Sequence, residues 1–318
     1  MKAVRFRRYG GPEVLEITDV PRPRPGDGQV LIEVVTAALN PGEIGIREGL
    51  FATMWPATFP EGQGNDFSGV VAEVGAGVTG LVAGQPVIGF APRAAQAEFV
   101  AAGVSTVAVL PSGIGWDAAA TIAGVGATAW ASVEAVAPRP GETVVVSAAA
   151  GGVGSYAAQL AALHGARVIG TASEGNHEFL ASLGIVPVRY GPGLEARLRQ
   201  AAPEGVHALI DTFGAGNVDA AIALGVSPSR INTIADGRAV HRYGVHHQAQ
   251  EQADDPRIWS RLAGLIAEGR LTVPITRAYP LHEVRQAYRD LGTRHVRGKR
   301  VLHVAPASRR QRLGETVS

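Results

Sequence analysis

Residues 148–154 read Ala-Ala-Ala-Gly-Gly-Val-Gly, between an apolar run, Val144-Val145-Val146-Ser147, and an apolar helical stretch from Ser155 to Leu160. A strand that turns through glycines into a helix can hold an anion. Gly151 and Gly154 stand in the second and third glycine places of the dinucleotide-binding fingerprint, where a missing side chain admits a pyrophosphate to the backbone and lets helix pack on strand. Ala149 stands in the first place. The first N–H groups of a helix have no partner within it, so Ala150, Gly151, Gly152, Val153 and Gly154 are the residues expected at the phosphates. The helix stops at Gly165 and a second strand, 167–171, follows at once, which completes the strand, helix, strand unit that the fingerprint requires.

The elements around this turn must position it. The chain has 318 residues, 46% hydrophobic and 18% charged, which fits a globular protein of about two domains. A formal net charge of +1 argues against nucleic acid or a membrane surface as the main partner. Met1-Lys2 is followed by Arg5, Arg7 and Arg8 rather than by the apolar run of a signal peptide or membrane span, which points to the cytoplasm. There is no cysteine, which excludes disulfides and thiolate-ligated zinc. His241, His246 and His247 lie in a polar stretch without carboxylates at ligand spacing, so no metal site is expected there.

Short β segments broken by Gly and Pro, at 2–5, 30–34, 69–74, 86–90 and 98–100, make the first third a β-rich, partly open barrel. From Trp116 the texture alternates, with helices expected at 117–136, 153–164 and 176–183 and strands at 143–147, 167–171, 186–190, 207–212 and 230–234. Strands alternating with helices predict a Rossmann-type, doubly wound parallel sheet, so the fold class is α/β with that sheet inserted in the barrel domain. Helical spacing at 254–268 and 281–291 and a closing strand at 300–304 return to the barrel. The expected division is a barrel of residues 1–114 and 255–305, a dinucleotide-binding domain of 115–254, and a polar mobile tail at 306–318.

Asn40-Pro41, Gly62-Gln63-Gly64-Asn65-Asp66-Phe67-Ser68-Gly69, Gly126-Ala127-Thr128-Ala129-Trp130, Ala149-Ala150-Gly151-Gly152-Val153-Gly154 and Gly298-Lys299 occur in this order over a barrel followed by a nucleotide fold. Together they resemble the medium-chain dehydrogenase/reductase superfamily, and within it the zinc-free quinone oxidoreductases, over residues 1–305. The resemblance implies a GroES-like barrel domain, a nicotinamide dinucleotide and a homodimer. It also sets the zinc alcohol dehydrogenases aside, because their Gly-His-Glu motif is replaced here by Gly64-Asn65-Asp66 and their first ligand cysteine by the segment Ala38-Leu39-Asn40-Pro41.

The same resemblance places the acidic residue that would hold a ribose 2′-hydroxyl at Ala172, beside Thr171 and Ser173. Without that acid, with a hydroxyl at Ser173 and with Asn176 at a helix start, NADP(H) is the expected cofactor. The Lys or Arg that family members often carry close by is missing. Tyr190 resembles a family tyrosine near the adenosine phosphate, Thr128 a family threonine beside the cofactor, and Phe213 and Ile234 mark strand ends that would line the nicotinamide. Asn40 is the expected polar group on the substrate side, with Thr128 the other expected catalytic residue. Glu43 reads as a solvated helix cap, and Phe51, Trp55 and Phe59 could wall an apolar pocket for a planar substrate. These residues predict a metal-free NADPH-dependent reductase that passes hydride to a small-molecule quinone or to the β-carbon of an α,β-unsaturated carbonyl. The alternatives are an enoyl or enone reductase tailoring a specialised metabolite, and a nucleotide-binding protein without catalysis.

Overall fold

The computed structural model describes residues 1–293 and 297–314, which form two compact units. One comprises residues 125–254 and 271–273, the other residues 1–124, 255–270 and 274 onward.

The smaller unit is a five-stranded parallel sheet in the order Val186–Arg189, Arg167–Ala172, Thr143–Val146, Ala208–Asp211 and Ile231–Thr233. Its central strands are continuous Val, Ile and Leu runs because helices cover both faces of such a sheet. Val145, Ile169, Leu209 and Ile231 are buried in one cluster. The chain runs outward from Thr143–Val146 to one edge, then returns to add Ala208–Asp211 on its other side. The strand order therefore reverses between these two neighbours. The Gly152–Leu163 helix follows the central strand, and its small residues Ala157, Ala158 and Ala161 let it pack closely. Gln159 donates its amide to Thr272 O (3.0 Å) and accepts from Thr272 N (2.8 Å), which ties the 271–273 segment to this unit.

The larger unit is built on a ten-residue strand, Gln29–Ala38, in a seven-stranded sheet. That strand pairs with Asp66–Val74, Phe99–Gly103 and Lys299–His303, all antiparallel. Register shifts between Leu31 and Ile32 and between Val34 and Thr36 allow it to bend, as curvature in a β-rich domain demands. Because Val301 pairs with Ala38 and Phe67 with Ala37, Lys299 and Asp66 are delivered beside Leu39 and Asn40. The Pro41–Arg47 helix then starts at Asn40.

Three expectations change here. The helix expected at 117–136 is a short turn, Trp116–Ala119, a π-helical turn, Ile122–Gly126, and a helix, Ala127–Val136. The glycines at 124 and 126 interrupt it. The larger unit also runs on to Gly124, past the expected boundary at 114, because Ser68 donates to Trp116 O (2.7 Å) and Thr36 to Asp117 (2.9 Å). Finally, the tail expected to be mobile at 306–318 forms a helix, Ala307–Arg312. Arg309 clamps Glu33 with two bonds of 2.9 and 2.7 Å, and Arg310 is buried against Thr36 (2.6 Å) and Asp117 (2.9 Å). A polar run reads as solvated in a sequence, but the bidentate Arg309–Glu33 pair and the buried Arg310 hold this one. Residues 315–318 lie outside the described residues.

Candidate functional site

The central strand of the smaller unit ends at Val146, and the chain reverses through Ala148, which takes a left-handed φ of 46°. Thr171 on the neighbouring strand holds this bend: its hydroxyl accepts from Ala148 N (3.2 Å) and its carbonyl from Ala149 N (3.0 Å). Thr171 is buried, so it shapes the turn from behind. Ala149 fits in the first fingerprint place because Gly170 opposite lacks the Cβ that would press on it. Gly151 is the N-cap of the following helix and offers no side-chain oxygen, so no side chain caps the N–H groups of Gly152, Val153 and Gly154. That end is a ready site for a phosphate.

Flanking positions divide by exposure. Tyr190 and Phe213 are 46% and 47% exposed, unusual for aromatics at strand ends and suited to lying against a flat ring system. Thr128 and Ile234 are half-buried. Ser173 accepts from the Asn176 amide (3.1 Å), so the two act as one polar group at the end of Arg167–Ala172. The cation missing next to Ser173 in sequence is present in space. Arg189 ends the adjacent strand in register with Ala172 and donates to Glu174 (3.2 Å). It escaped the sequence reading because the signal is a strand register, fifteen or more residues distant in the chain; an Arg before a strand-end Tyr was the only local clue.

Behind this rim lies Asp211, fully buried at the end of its strand. It accepts from Ser147 Oγ (2.6 Å), Thr233 Oγ1 (2.7 Å), Asn217 Nδ2 (3.0 Å), Phe213 N (3.2 Å) and Gly214 N (3.0 Å). In the sequence Asp211 reads only as part of a strand end. His246 and His247 each place a ring nitrogen on a backbone carbonyl, of Ser229 and Thr233 respectively.

In the larger unit, Asn40 is the junction of a buried polar array. Its amide donates to Glu43 (3.1 Å) and Asp66 (3.2 Å), and its oxygen accepts from Lys299 Nζ (2.7 Å), which also donates to Leu39 O (2.6 Å). Both Asn40 amide hydrogens are thus spent inside the protein, rather than offered to a substrate. Glu43, expected to be a solvated cap, caps the helix from a buried position: it accepts from Asn40 N (3.1 Å) and from Tyr288 Oη (2.5 Å). The tyrosine oxygen accepts in turn from Gln63 (2.8 Å) and Gln96 (2.7 Å). Burial raises the Glu43 carboxyl and lowers the Lys299 ammonium from their ordinary ranges. Among the described residues Asp66 Oδ2 has no hydrogen-bond partner, and it rests against Gly124, where a Cβ would strike it. Burial pushes this carboxyl up to about 7, against the pull of Lys299.

The sign of that shift makes a stability prediction. A carboxyl raised by folding stabilises the protein fully below about pH 4, and the contribution is lost as pH rises through about 7, an effect on the order of 4 kcal/mol for a shift of this size. The urea midpoint is expected to fall between pH 5.5 and 8, and Asp66→Asn is expected to flatten that fall. A wild-type midpoint that rises over this range, or a slope the variant leaves unchanged, would contradict the burial account.

The segment after the Pro41–Arg47 helix exposes Leu50, Phe51, Met54, Trp55 and Phe59, with Phe51 and Trp55 edge to face at 5.7 Å. So much apolar side chain in solvent marks a binding surface more than a core.

Residues 26–106 match the family described as alcohol dehydrogenase GroES-like domain, and residues 186–302 match zinc-binding dehydrogenase. The structure of the quinone oxidoreductase from Coxiella burnetii is similar at 31% identity, covering 96% of this chain and 99% of that one with a TM-score of 0.86. The mycobacterial protein Rv1454c, solved in complex with NADPH, is 28% identical over 95% of this chain and all of that one, with a TM-score of 0.85. A mycocerosic acid synthase-like polyketide synthase of Mycobacterium tuberculosis is 29% identical over 96% of this chain. The chain spans only 16% of that synthase. Zinc does not suit the donors present: the chain has no cysteine, Asn65 Oδ1 accepts from Arg93 N (2.9 Å), and Asp66 belongs to the Asn40 and Lys299 array. The nucleotide turn, by contrast, fits a pyrophosphate. No helix among the described residues is long and apolar enough to cross a membrane.

Proposed function

Because this chain belongs to the medium-chain dehydrogenase/reductase superfamily, on its zinc-free quinone oxidoreductase branch, we propose that it is a metal-free reductase that uses NADPH to reduce a quinone or an α,β-unsaturated carbonyl. The observation that carries this reading is the glycine-capped helix start at Gly151–Gly154, whose N–H groups no side chain satisfies. When bound, NADPH supplies the hydride. The chain supplies the rest. Gly152, Val153 and Gly154 hold the pyrophosphate, and Ser173, Asn176 and Arg189 take the 2′-phosphate, with Tyr190 against the adenosine side. Thr128, Phe213 and Ile234 bear on the nicotinamide end. In the larger unit the exposed aromatic segment at 50–59 offers apolar surface for a flat molecule, and an acceptor already polarised by its own carbonyl needs no Lewis acid. Asp66 is fully buried and the Tyr288 phenol is bonded to Glu43, so water provides the proton.

The polyketide synthase relative favours a second reading, reduction of an enoyl thioester in the making of a specialised metabolite. NADPH consumption by chelator-treated protein on a panel of quinones, simple enones and enoyl thioesters separates these readings by relative kcat/KM. Turnover is expected to survive chelation. NADPH binding without turnover of any acceptor would show a nucleotide-binding protein instead, and activity that returns only with added zinc would refute the metal-free mechanism.

A further inference from the structure

The hydrogen-bond directions around Asp211 can be assigned completely. Ser147 Oγ accepts from Thr212 N (2.8 Å), and Thr233 Oγ1 accepts from Ala235 N (3.2 Å) and Asp236 N (3.0 Å), so both hydroxyl protons point at Asp211. The Asn217 amide and the Phe213 and Gly214 N–H groups can only donate. Five donors therefore converge on one fully buried side chain, which leaves no acceptor for a carboxylic proton. Asp211 is a carboxylate, and all of these partners are neutral. Its charge is dispersed over dipoles but not cancelled.

Its place in the fold is equally specific. Asp211 ends Ala208–Asp211, and Ser147 follows the end of Thr143–Val146; these are the two neighbouring strands between which the strand order reverses. In open α/β sheets ligands lie beyond the carboxyl ends of the strands at that crevice. Ser147 also leads directly into the phosphate turn, and of the residues Asp211 holds, Gly214 is buried and Phe213 forms the exposed rim.

From this geometry we infer that Asp211 is a positioning residue that also acts electrostatically, because its uncancelled charge beneath the rim favours the oxidised nicotinamide, which is cationic, over the neutral reduced ring. The inference rests on the nucleotide reading above. In the transfer, the C–H bond of the dihydronicotinamide breaks, its electron pair and hydrogen form a C–H or O–H bond on the acceptor, and the ring gains one positive charge. A proton from water completes the acceptor. A fixed anion close to that ring makes the bound cofactor a stronger hydride donor.

The test is binding, not turnover. Dissociation constants for NADP+ and NADPH are measured by calorimetry on the full chain, with Asp211→Asn, Ser147→Ala and Thr233→Val. Asparagine keeps an acceptor on Oδ1 for Ser147, Asn217, Phe213 and Gly214, so the rim retains its bonds, and the bond it loses is the one from Thr233, which Thr233→Val removes separately. Asp211→Asn is expected to weaken NADP+ relative to NADPH by about tenfold. Ser147→Ala and Thr233→Val remove the bonds of one hydroxyl each but no charge, and are expected to move both constants together. Asn217→Lys brings a cation to the same oxygen and should shift the ratio as Asp211→Asn does, which decides the matter if that variant does not fold. An unmoved ratio in Asp211→Asn or Asn217→Lys overturns the electrostatic role, as does an equal ratio shift in the two uncharged variants. Failure of the wild type to bind either nucleotide overturns the nucleotide reading itself.

Discussion

Gly154→Val is expected to weaken NADPH binding by about a hundredfold or more while leaving the protein folded. A Cβ at Gly154 would strike the Ala148 carbonyl oxygen, with Ala148 C at 2.8 Å and Ala149 Cα at 2.9 Å. All three are backbone atoms, so no side chain can swing aside. The turn itself must open, and Ala148 already sits in a left-handed conformation that Thr171 holds in place. Opening it misdirects the N–H groups that meet the pyrophosphate. Gly151→Ala is the graded comparison: its Cβ would lie 3.2 Å from the same oxygen, a few tenths of an ångström too close. It should cost far less. Fluorescence titration with NADPH, with circular dichroism as the folding check, tests both. A folded Gly154→Val protein with unchanged affinity would mean that this turn does not carry the nucleotide.

The contrast between those two glycines shows how far the sequence could be read. The turn was legible because strand, glycines and helix are contiguous, and Val runs mark strands buried on both faces. Even the imperfect first place, Ala149, has a local cause in Gly170 that only strand pairing reveals. What escaped reading depends on register between distant segments. Asn40 and Glu43 carry opposite surroundings from those expected because Lys299 and Tyr288, some 250 residues later in the chain, come to them across the sheet and the neighbouring helix. Asp211 looked like an ordinary strand end, since its donors come from three strand ends and a helix start. The tail was misread for the same reason: Arg309 and Arg310 need Glu33 and Asp117, and no local pattern announces a partner that far away.

Arg189 is where such a long-range partner should alter cofactor choice most. Arg189→Glu is expected to lower the preference for NADPH over NADH by about a hundredfold, and Arg189→Ala by about tenfold. The arginine is in register with Ala172, next to the Ser173 and Asn176 pair, and its present partner is Glu174. Both side chains of that pair are exposed, at 65% and 72%, and exposed pairs of this kind are worth about 0–1 kcal/mol. A dianionic 2′-phosphate can therefore take the guanidinium from Glu174 at little cost, and Glu174→Ala should leave the preference unchanged or raise it. Glutamate at 189 instead sets a second carboxylate beside Glu174 and repels the phosphate. An Asp introduced at Ala172 works through the same arginine, because position 172 is only 4% exposed and faces Arg189 across the sheet. There the new carboxylate would pair with Arg189 and withdraw it from the cofactor. The deciding measurement is the ratio of kcat/KM for NADPH over NADH, with one quinone held constant, in wild type and the four variants. A wild type that prefers NADH, or an Arg189→Glu protein with an unmoved ratio, would show that this strand end does not face the adenosine ribose.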